Sequence, residues 1–167
     1  MCTHEDAGVS EDIRIEDVSR ATWFAATALA VAPEQTAHFS APIVYWLAES
    51  RFEPHFRPMT IACGDTLIGF LVYGVDPDDG EYWLITFMID HRFQGRGLAR
   101  KALNAFLHRF DDEHPSATLT LGHHPGNRVA AHLYETSGFA ATGELIGSEV
   151  IRRRPPGDAV DRERTTD

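Results

Sequence analysis

The chain has 167 residues, of which 43% are hydrophobic, and this size and composition predict one globular domain with a full core. Fifteen lysine and arginine residues against twenty-five acidic residues give a formal net charge of −10. An acidic surface repels nucleic acids and anionic membranes and attracts cationic partners, although acidity also serves solubility alone. We therefore expect neither nucleic acid nor membrane as a partner, and the longest apolar run, Leu67–Val75, is too short to span a bilayer.

The spacing of apolar residues predicts the strands and helices in chain order, because apolar residues recur every second position in a strand and every three to four positions in a helix. Strands are predicted at Ile13–Glu16, Met59–Cys63, Leu67–Tyr73, Tyr82–Asp90, Ala117–Leu121, Phe139–Glu144 and Glu149–Arg153. Helices are predicted from Ser19 to Leu29, within Pro33–Phe52, at Leu98–Phe110 and at Arg128–Thr136. The order β-α-α-β-β-β-α-β-α-β-β, with a meander of three antiparallel strands, predicts an α+β domain.

The single domain is predicted to span residues 13–154, because neither a repeat nor a linker interrupts this range. The flanking segments 1–12 and 155–167 are polar and are predicted to be disordered. The acidic beginning of the chain is the reverse of a signal peptide. No spacing pairs Cys2 with Cys63, so Cys63 is predicted to be a buried structural thiol and the protein to be cytoplasmic.

A basic, glycine-punctuated turn separates the strand that ends at Asp90 from the helix that begins at Leu98. Backbone N–H groups at a helix N-terminus hydrogen-bond anions, and the helix dipole favours their negative charge. Gly95 and Gly97 allow the backbone to approach a ligand closely and to adopt positive φ. Several cations in a turn of an acidic protein therefore predict a specific anion site of the kind that a pyrophosphate needs.

A second feature is the helix that begins after Asn127, where Tyr134 follows seven positions later. At 100° per residue the two side chains lie on nearly the same face, which presents an amide and a phenol two turns apart. An ordinary structural interpretation is also open, with Asn127 as the N-cap and Tyr134 as a half-buried aromatic residue.

These two features together resemble the GNAT N-acetyltransferase superfamily. The run Gln94–Gly95–Arg96–Gly97–Leu98–Ala99 resembles its acyl-CoA signature, Gln/Arg-x-x-Gly-x-Gly/Ala, and the pattern Asn127…Ala131…Leu133–Tyr134–Glu135…Gly138–Phe139 resembles its second motif. Spacing and strand order agree from about Ile13 to Arg153. The resemblance implies a mixed α/β fold, with a central, mostly antiparallel sheet of about seven strands flanked by about four helices.

Further stretches are similar to bacterial spermine/spermidine acetyltransferases. They are Tyr45…Leu47–Ala48–Glu49…Phe52–Glu53–Pro54, Gly69–Phe70…Tyr73–Gly74, Tyr82–Trp83–Leu84…Phe87–Met88–Ile89–Asp90 and Gly143–Glu144–Leu145…Glu149–Val150. The chain departs from this subgroup at Thr86, where a basic residue is common, and at Ala99, where glycine is common. Ala99 leaves the motif intact, whereas Thr86 weakens the inference of the same acceptor.

The resemblance implies direct transfer of acetyl from acetyl-CoA to a primary amine. It implies that backbone N–H groups of Gly95–Ala99 hold the pyrophosphate and that Tyr134 protonates the departing sulfur. The implied cofactor-binding residues are Phe87, Met88 and Ile89 for the pantetheine arm, Gln94, Gly95, Arg96, Gly97, Leu98 and Ala99 in the turn, and Asn127. Arg92, Arg96 and Arg100 are candidate supporting cations, with a solvated helix end as the alternative for Arg100.

The acceptor amine must lose a proton before it attacks, because a primary ammonium has a pKa near ~10.4. Glu53, Glu81 and Asp90 are candidate bases, acting directly or through water, and no spacing singles one out. Glu49 and Glu53 lie four positions apart on a predicted helix and could bind a second ammonium, or simply form a solvated face. The candidate substrate-binding residues are Glu49, Glu53, Glu81 and Thr86.

Two further features concern metals and assembly. His123 and His124 are adjacent and would diverge on a strand, and no further ligand is spaced to join them, so no metal site is expected. The apolar residues of the last hairpin are a candidate homodimer surface, formed by Leu145, Ile146, Val150 and Ile151.

The function predicted is therefore acetylation of a small cationic amine, with spermine or spermidine as the favoured acceptor. An aminoglycoside-like antibiotic, another amine or a protein N-terminus are alternative acceptors. A non-catalytic acyl-CoA sensor is the alternative from another class, although a pure binder has no need of the Tyr134 phenol.

Overall fold

Seven strands form one sheet in the order β1-β2-β3-β4-β5-β7-β6 in a computed structural model that describes residues 12–157. The strands are β1 Ile13–Asp17, β2 Phe56–Cys63, β3 Thr66–Val75, β4 Tyr82–Ile89, β5 Leu119–His123, β6 Ala140–Ile146 and β7 Glu149–Arg154. The helices are α1 Trp23–Ala26, α2 Ile43–Phe52, α3 Leu98–Glu113 and α4 Arg128–Thr136, with 3-10 turns at Pro33–His38 and His91–Phe93. The predicted seven-stranded α+β fold with four helices is confirmed.

All neighbouring strands are antiparallel except β4 and β5, which are parallel. Only two residue pairs join them, Tyr82 with Leu119 and Trp83 with Thr120. Beyond these pairs the two strands separate, and the sheet opens at its centre.

Both faces of the central strands are buried, because helices cover the sheet on both sides. Along β3 the alternate residues Leu71 and Tyr73 face α3, where Tyr73 meets Phe106 edge to face at 5.1 Å. Phe70 and Val72 belong to the opposite cluster, which includes residues of α1 and α2. Because both faces of β3 are buried, its sequence is a nearly continuous apolar run.

The first helix is much shorter than predicted: it has four residues, whereas the prediction carries it from its N-cap Ser19 through Leu29. A long-range contact overrides local helix propensity here, because the Ala30 N–H donates to the Asp90 carboxylate at 2.9 Å. His91 N–H in turn donates to the Ala30 carbonyl at 2.9 Å, so the chain after α1 is fixed beside the end of β4.

Two other predictions need correction. β5 runs from Leu119 to His123 rather than from Ala117 to Leu121, because β7 continues to pair with it as far as Val150. Cys63 is buried at the end of β2, as predicted, but it is disulfide-bonded, so the prediction of a free structural thiol is wrong. A cytoplasmic location stays a prediction.

The segments at the two ends fall mostly outside the described residues. Of the predicted disordered tails, 1–12 and 155–167, only residue 12 and residues 155–157 are described. No helix within the described range 12–157 has the length and apolar character needed to cross a bilayer.

An ion network centred on Glu113 fastens the end of α3 to the sheet. Its carboxylate accepts hydrogen bonds from Arg57 at 2.6 Å, Arg109 at 2.8 Å and the Tyr73 hydroxyl at 3.1 Å. Asp17 on β1 accepts from the same two arginines, at 3.1 and 3.2 Å. Burial alone raises the pKa of Glu113, but the arginine hydrogen bonds and charges outweigh it and lower that pKa to about 2.

We expect Glu113→Gln to lower the free energy of unfolding by ~1 kcal/mol at pH 7, because a partly exposed ion pair is screened by solvent. The carboxylate has a lower pKa in the folded chain than in the unfolded one. Its stabilisation is therefore complete above the unfolded value of about 4.5 and is lost as the pH falls toward about 2. Urea denaturation across this range measures the effect, which the variant should lack.

Asp112→Asn is the matched control, because Asp112 is the preceding residue of α3, is exposed and makes no ion pair with a described residue. Equal acid sensitivity in Glu113→Gln and the parent protein would contradict the assignment.

Candidate active site

A cleft of about 660 Å³ occupies the place where β4 and β5 separate. Its walls come from β4, the glycine turn with the start of α3, the end of β5, α4, and the 3-10 turn Pro33–His38. Residues of both predicted motifs line it: Phe87, Met88, Ile89, Gln94, Gly95, Gly97, Leu98, Ala99, Asn127 and Tyr134. The structure thus brings together features that the sequence separates by about forty positions.

The glycine turn presents backbone rather than side chains to the cleft. Gly95 and Gly97 both have φ of 75°, and an added Cβ at either would meet nothing within 4 Å. The glycines are therefore required for their left-handed conformation and not for space. Gly97 is also the N-cap of α3 and supplies no side-chain hydrogen bond, so the first N–H groups of the helix remain available to an anion.

The arginines of the turn do not line the cleft. Arg92 is fixed by the buried Asp90 carboxylate at 2.7 Å and lies over the Phe93 ring, 5.4 Å from its centroid. Arg96 lies over the same ring at 6.0 Å, and Arg100 is exposed. Backbone N–H groups and the helix dipole are thus the electropositive elements that reach the cleft from this turn.

Asp90, one of the three candidate bases, is occupied elsewhere and does not line the cleft. Burial acts to raise its pKa, but hydrogen bonds from Arg92 and from the Ala30 N–H outweigh burial and lower the pKa below its usual value. An ionised carboxylate with these donors is a poor proton acceptor. Its contacts instead fix the start of the glycine turn.

Gln94 uses its amide within the protein. Its Nε2 donates to the Ile89 carbonyl at 2.8 Å and to Gln35 Oε1 at 2.9 Å, while Gln35 Nε2 donates back to Gln94 Oε1 at 3.0 Å. This reciprocal amide pair joins the glycine turn to the 3-10 turn on the opposite wall. Direct contact between Gln94 and a cofactor stays a prediction.

β4 offers one wall of the cleft along Leu84–Ile89. The strand carries a bulge, because Val72 pairs with Thr86 whereas the next residue, Tyr73, pairs with Leu84. Past Trp83, no residue of β5 pairs with β4 within the described range 12–157. Backbone groups on that edge can therefore pair with an extended, amide-containing ligand, as the predicted roles of Phe87, Met88 and Ile89 require.

Tyr134 and Asn127 both line the cleft, as their shared helix face predicts. Asn127 caps α4, accepting from the Ala130 N–H at 3.1 Å, which is the structural interpretation that the sequence left open. Tyr134 is 7% exposed, with its ring 5.9 Å from that of Phe139. Burial and the negative charge of Glu149 both raise the pKa of its phenol, which is therefore fully protonated at neutral pH.

The predicted acceptor carboxylates Glu49, Glu53 and Glu81 do not line the cleft. Glu49 accepts from the Tyr45 hydroxyl at 3.0 Å, and Glu53 is the C-cap of α2. Glu81 pairs with Arg153 at 3.3 Å and accepts from Thr120. The structure therefore separates these residues from Tyr134, whereas it places Thr86 on the cleft wall.

Two carboxylates that the sequence did not single out line the cleft instead, Glu34 and Glu149. Glu34 is in the 3-10 turn, and Glu149 begins β7. Neither stands near the glycine turn or the Asn127–Tyr134 helix in the sequence. The pairing of β7 with β5 brings Glu149 to this wall, and the resemblance of Glu149–Val150 to the polyamine acetyltransferases marked the stretch without giving its carboxylate a role.

The histidines near the cleft are held by hydrogen bonds and ring contacts. His123 Nδ1 lies 3.1 Å from the His124 carbonyl, and its Nε2 accepts from Arg152 Nε at 3.0 Å. The His124 ring lies 5.0 Å from that of His38. Among residues 12–157, no group of three or more histidine, cysteine or acidic side chains could hold a metal ion.

The predicted dimer surface is only partly exposed. Leu145 and Ile146 are 68% and 58% exposed, but Ile151 is 1% exposed and belongs to the core, so its inclusion is wrong. Val150 is half-buried. A homodimer stays a prediction.

Comparison with known proteins agrees with this geometry. The pattern described as the acetyltransferase (GNAT) family matches residues 16–139, which include every element from β2 to α4. The chain belongs to the GNAT acetyltransferase family. Members of this family use acyl-CoA, and the glycine turn lies where the cleft can admit such a ligand.

The GNAT chain resembles a curated protein and several solved structures. It is 32% identical to the spermine/spermidine N(1)-acetyltransferase of Bacillus subtilis strain 168 over 54% of this chain and 64% of that protein. It thus spans less than two thirds of that relative's length.

Structures of a Thermus thermophilus acetyltransferase and of a Vibrio cholerae spermidine N-acetyltransferase with CoA and spermine share the fold. For the Thermus protein the TM-score is 0.68 at 20% identity, over 86% of this chain and 96% of that one. For the Vibrio protein the TM-score is 0.65 at 16% identity, over 84% of this chain and 92% of that one. At these identities the likeness shows the fold alone.

We expect Gly97→Ala to weaken coenzyme A binding roughly tenfold, because a Cβ disfavours the left-handed conformation that directs the N–H groups at the cleft. Gly80→Ala is the matched control: Gly80 has φ of 73°, equally open surroundings, and a place in the β3–β4 turn away from the cleft. Both variants should lose about 1–2 kcal/mol of stability. Calorimetric titration should show weaker binding for Gly97→Ala only, and equal binding by the two variants would contradict the assignment.

Proposed function

We propose that this GNAT chain transfers acetyl from acetyl-CoA directly to a primary amine of a small cationic acceptor, with a polyamine such as spermine or spermidine favoured. The observation that carries the proposal is one cleft lined by the N-terminus of α3, which has no side-chain cap, and by a protonated, buried phenol. The first suits the diphosphate of a coenzyme, and the second suits a departing sulfur.

The residues that line the cleft indicate which of them would bind each part of acetyl-CoA. We assign the diphosphate to the N–H groups of Gly95–Ala99 and the pantetheine amides to the unpaired edge of β4 at Phe87–Ile89. When bound, acetyl-CoA supplies an activated thioester. Gln94 then acts by holding the turn against Ile89, and Asn127 by fixing the start of the helix that carries Tyr134.

Tyr134 has the properties of a hydrogen-bond donor to sulfur. A thiol has a pKa near ~8.5 and an ordinary phenol near ~10, and this phenol is shifted higher still. It therefore holds its proton until negative charge develops on the sulfur, and it is most useful as the carbon–sulfur bond breaks.

A cationic acceptor is favoured by charge. The chain carries a formal net charge of −10, and Glu34 and Glu149 are the carboxylates among the residues lining the cleft. The name of the Bacillus relative and the spermine in the Vibrio structure favour a polyamine among cationic amines. Thr86, which departs from the relatives' usual basic residue and lines the cleft, is the position where acceptor choice can differ.

The test is thiol release from acetyl-CoA, measured with spermine, spermidine, an aminoglycoside and a peptide with a free N-terminus. We expect the highest kcat/KM with the two polyamines. Release with another amine alone would overturn the polyamine assignment. Tight binding of acetyl-CoA with no release on any amine would instead indicate an acyl-CoA sensor.

We expect Tyr134→Phe to lower kcat by about 10²-fold or more with little change in coenzyme A affinity, because it removes the proton donor and keeps the ring. The matched control is Tyr45→Phe, which removes an exposed phenol that donates to Glu49 outside the cleft. Unchanged turnover in Tyr134→Phe would exclude the phenol as the acid.

A further inference from the structure

Glu149 lines the cleft and lies next to a glycine of the neighbouring strand. It is the first residue of β7, and the carboxylate lies against Gly122 of β5, next to the pair His123–Val150. A Cβ built on Gly122 would come within 2.5 Å of Oε2 of the exposed Glu149, so a larger residue at position 122 would require this carboxylate to move away from β5. Gly122 has an ordinary φ, so the glycine is not required here for its backbone conformation.

The Glu149 carboxylate is also uncompensated. Glu81, Asp90 and Glu113 each pair with an arginine, whereas Glu149 has neither an ion pair nor a side-chain hydrogen bond to any residue between 12 and 157. Its negative charge is felt by the Tyr134 phenol, which lines the same cleft. An incoming ammonium would form a charge-assisted hydrogen bond with this unpaired carboxylate, beside the protonated phenol.

We propose that Glu149 binds the protonated acceptor amine and accepts its proton, directly or through one water, before the nitrogen attacks. This rests on the proposed acetyl transfer. The three carboxylates considered from the sequence are worse placed, because Glu53 and Glu81 lie outside the cleft and Asp90 is bound to Arg92.

The proton balance of the reaction closes with these two residues. The ammonium gives a proton to Glu149, the freed nitrogen pair forms the carbon–nitrogen bond, and the carbon–sulfur pair leaves with sulfur. Tyr134 donates its proton to that sulfur, and the proton on Glu149 restores the phenol. The acetylated nitrogen, which still carries one proton too many, releases that proton to solvent as the amide forms. The products are an acetamide and a thiol, and one proton is released per turnover.

The two proton transfers are coupled electrostatically. Burial is the larger cause of the raised pKa of the Tyr134 phenol, and the charge of ionised Glu149 raises that pKa further. Once Glu149 has taken the acceptor's proton, that charge is gone, and the phenol becomes a stronger acid at the moment when sulfur requires a proton. One carboxylate thereby prepares the nucleophile and activates the acid.

The test compares Glu149→Gln, Glu149→Asp and Glu144→Gln with the parent enzyme. Glu144 lies on β6 of the same hairpin, 3.9 Å from Arg153 and outside the cleft, so its variant makes the same change of charge without touching the site. We expect Glu149→Gln to lower kcat by about 10²-fold and to remove the acidic limb of the pH profile of kcat. Glu149→Asp should restore part of both.

Coenzyme A affinity and the thermal midpoint serve as checks of folding and should match the parent in all three variants. A rise in the amine KM alone, with kcat and its pH profile unchanged, would overturn proton acceptance by Glu149. Parent-like kinetics in Glu149→Gln would do the same while leaving acetyl transfer intact. If the parent enzyme itself releases no thiol with any amine, the proposed acetyl transfer is wrong, and the role of Glu149 is contradicted with it.

Gly122→Ala gives an independent check, because it keeps the charge of Glu149 but displaces the carboxylate from its place on β5. We expect a smaller loss of kcat than in Glu149→Gln, with the acidic limb shifted rather than absent. An unchanged profile in a folded Gly122→Ala variant would show that the position of this carboxylate does not matter.

Discussion

The separation of β4 from β5 is the constraint on which the rest of the molecule depends. Two parallel strands joined by two residue pairs leave the following backbone without a partner, and unpaired backbone groups need other acceptors and donors. The bulge between β3 and β4 adds twist where the strands part. The cleft is therefore a property of the sheet, and the helices that carry the glycine turn and Tyr134 are set on its two sides.

The rim of the opening is held by polar contacts that local sequence does not reveal. Asp90 joins the end of β4 to Ala30 and Arg92, and the amides of Gln94 and Gln35 join the glycine turn to the opposite wall. These contacts occupy two groups that sequence reasoning assigned to ligand or catalysis. A buried carboxylate and a motif amide here fix geometry, which is a prerequisite for accurate placement of backbone N–H groups.

Prediction from the sequence succeeded where the signal is local. Gly95 and Gly97 before an apolar stripe identify the helix N-terminus, and the spacing of Asn127 and Tyr134 identifies their common face. It failed where pairing between distant segments decides the outcome: α1 ends early because Ala30 is drawn to Asp90, and Glu149 reaches the cleft only through β7. Acidic residues in particular have no period that marks them, so Glu53 and Glu81 could not be distinguished from Glu149 before the topology was known.

The distribution of charge explains how a protein with a net charge of −10 could bind an anionic coenzyme and a cationic amine in one cleft. Arg92 is paired with Asp90 and Arg96 lies over the Phe93 ring, so what the turn itself offers a phosphate is N–H groups and the helix dipole, which act only at short range, while Arg128 of α4 adds a cation to the cleft lining. Unpaired carboxylates, by contrast, attract an amine over about a Debye length. In the proposed reaction, approach of the amine is then directed by net charge, whereas the coenzyme is selected by contact geometry. The two ligands of the proposed reaction need not compete, because the glycine turn and Glu149 belong to different elements that line the cleft, as does Tyr134.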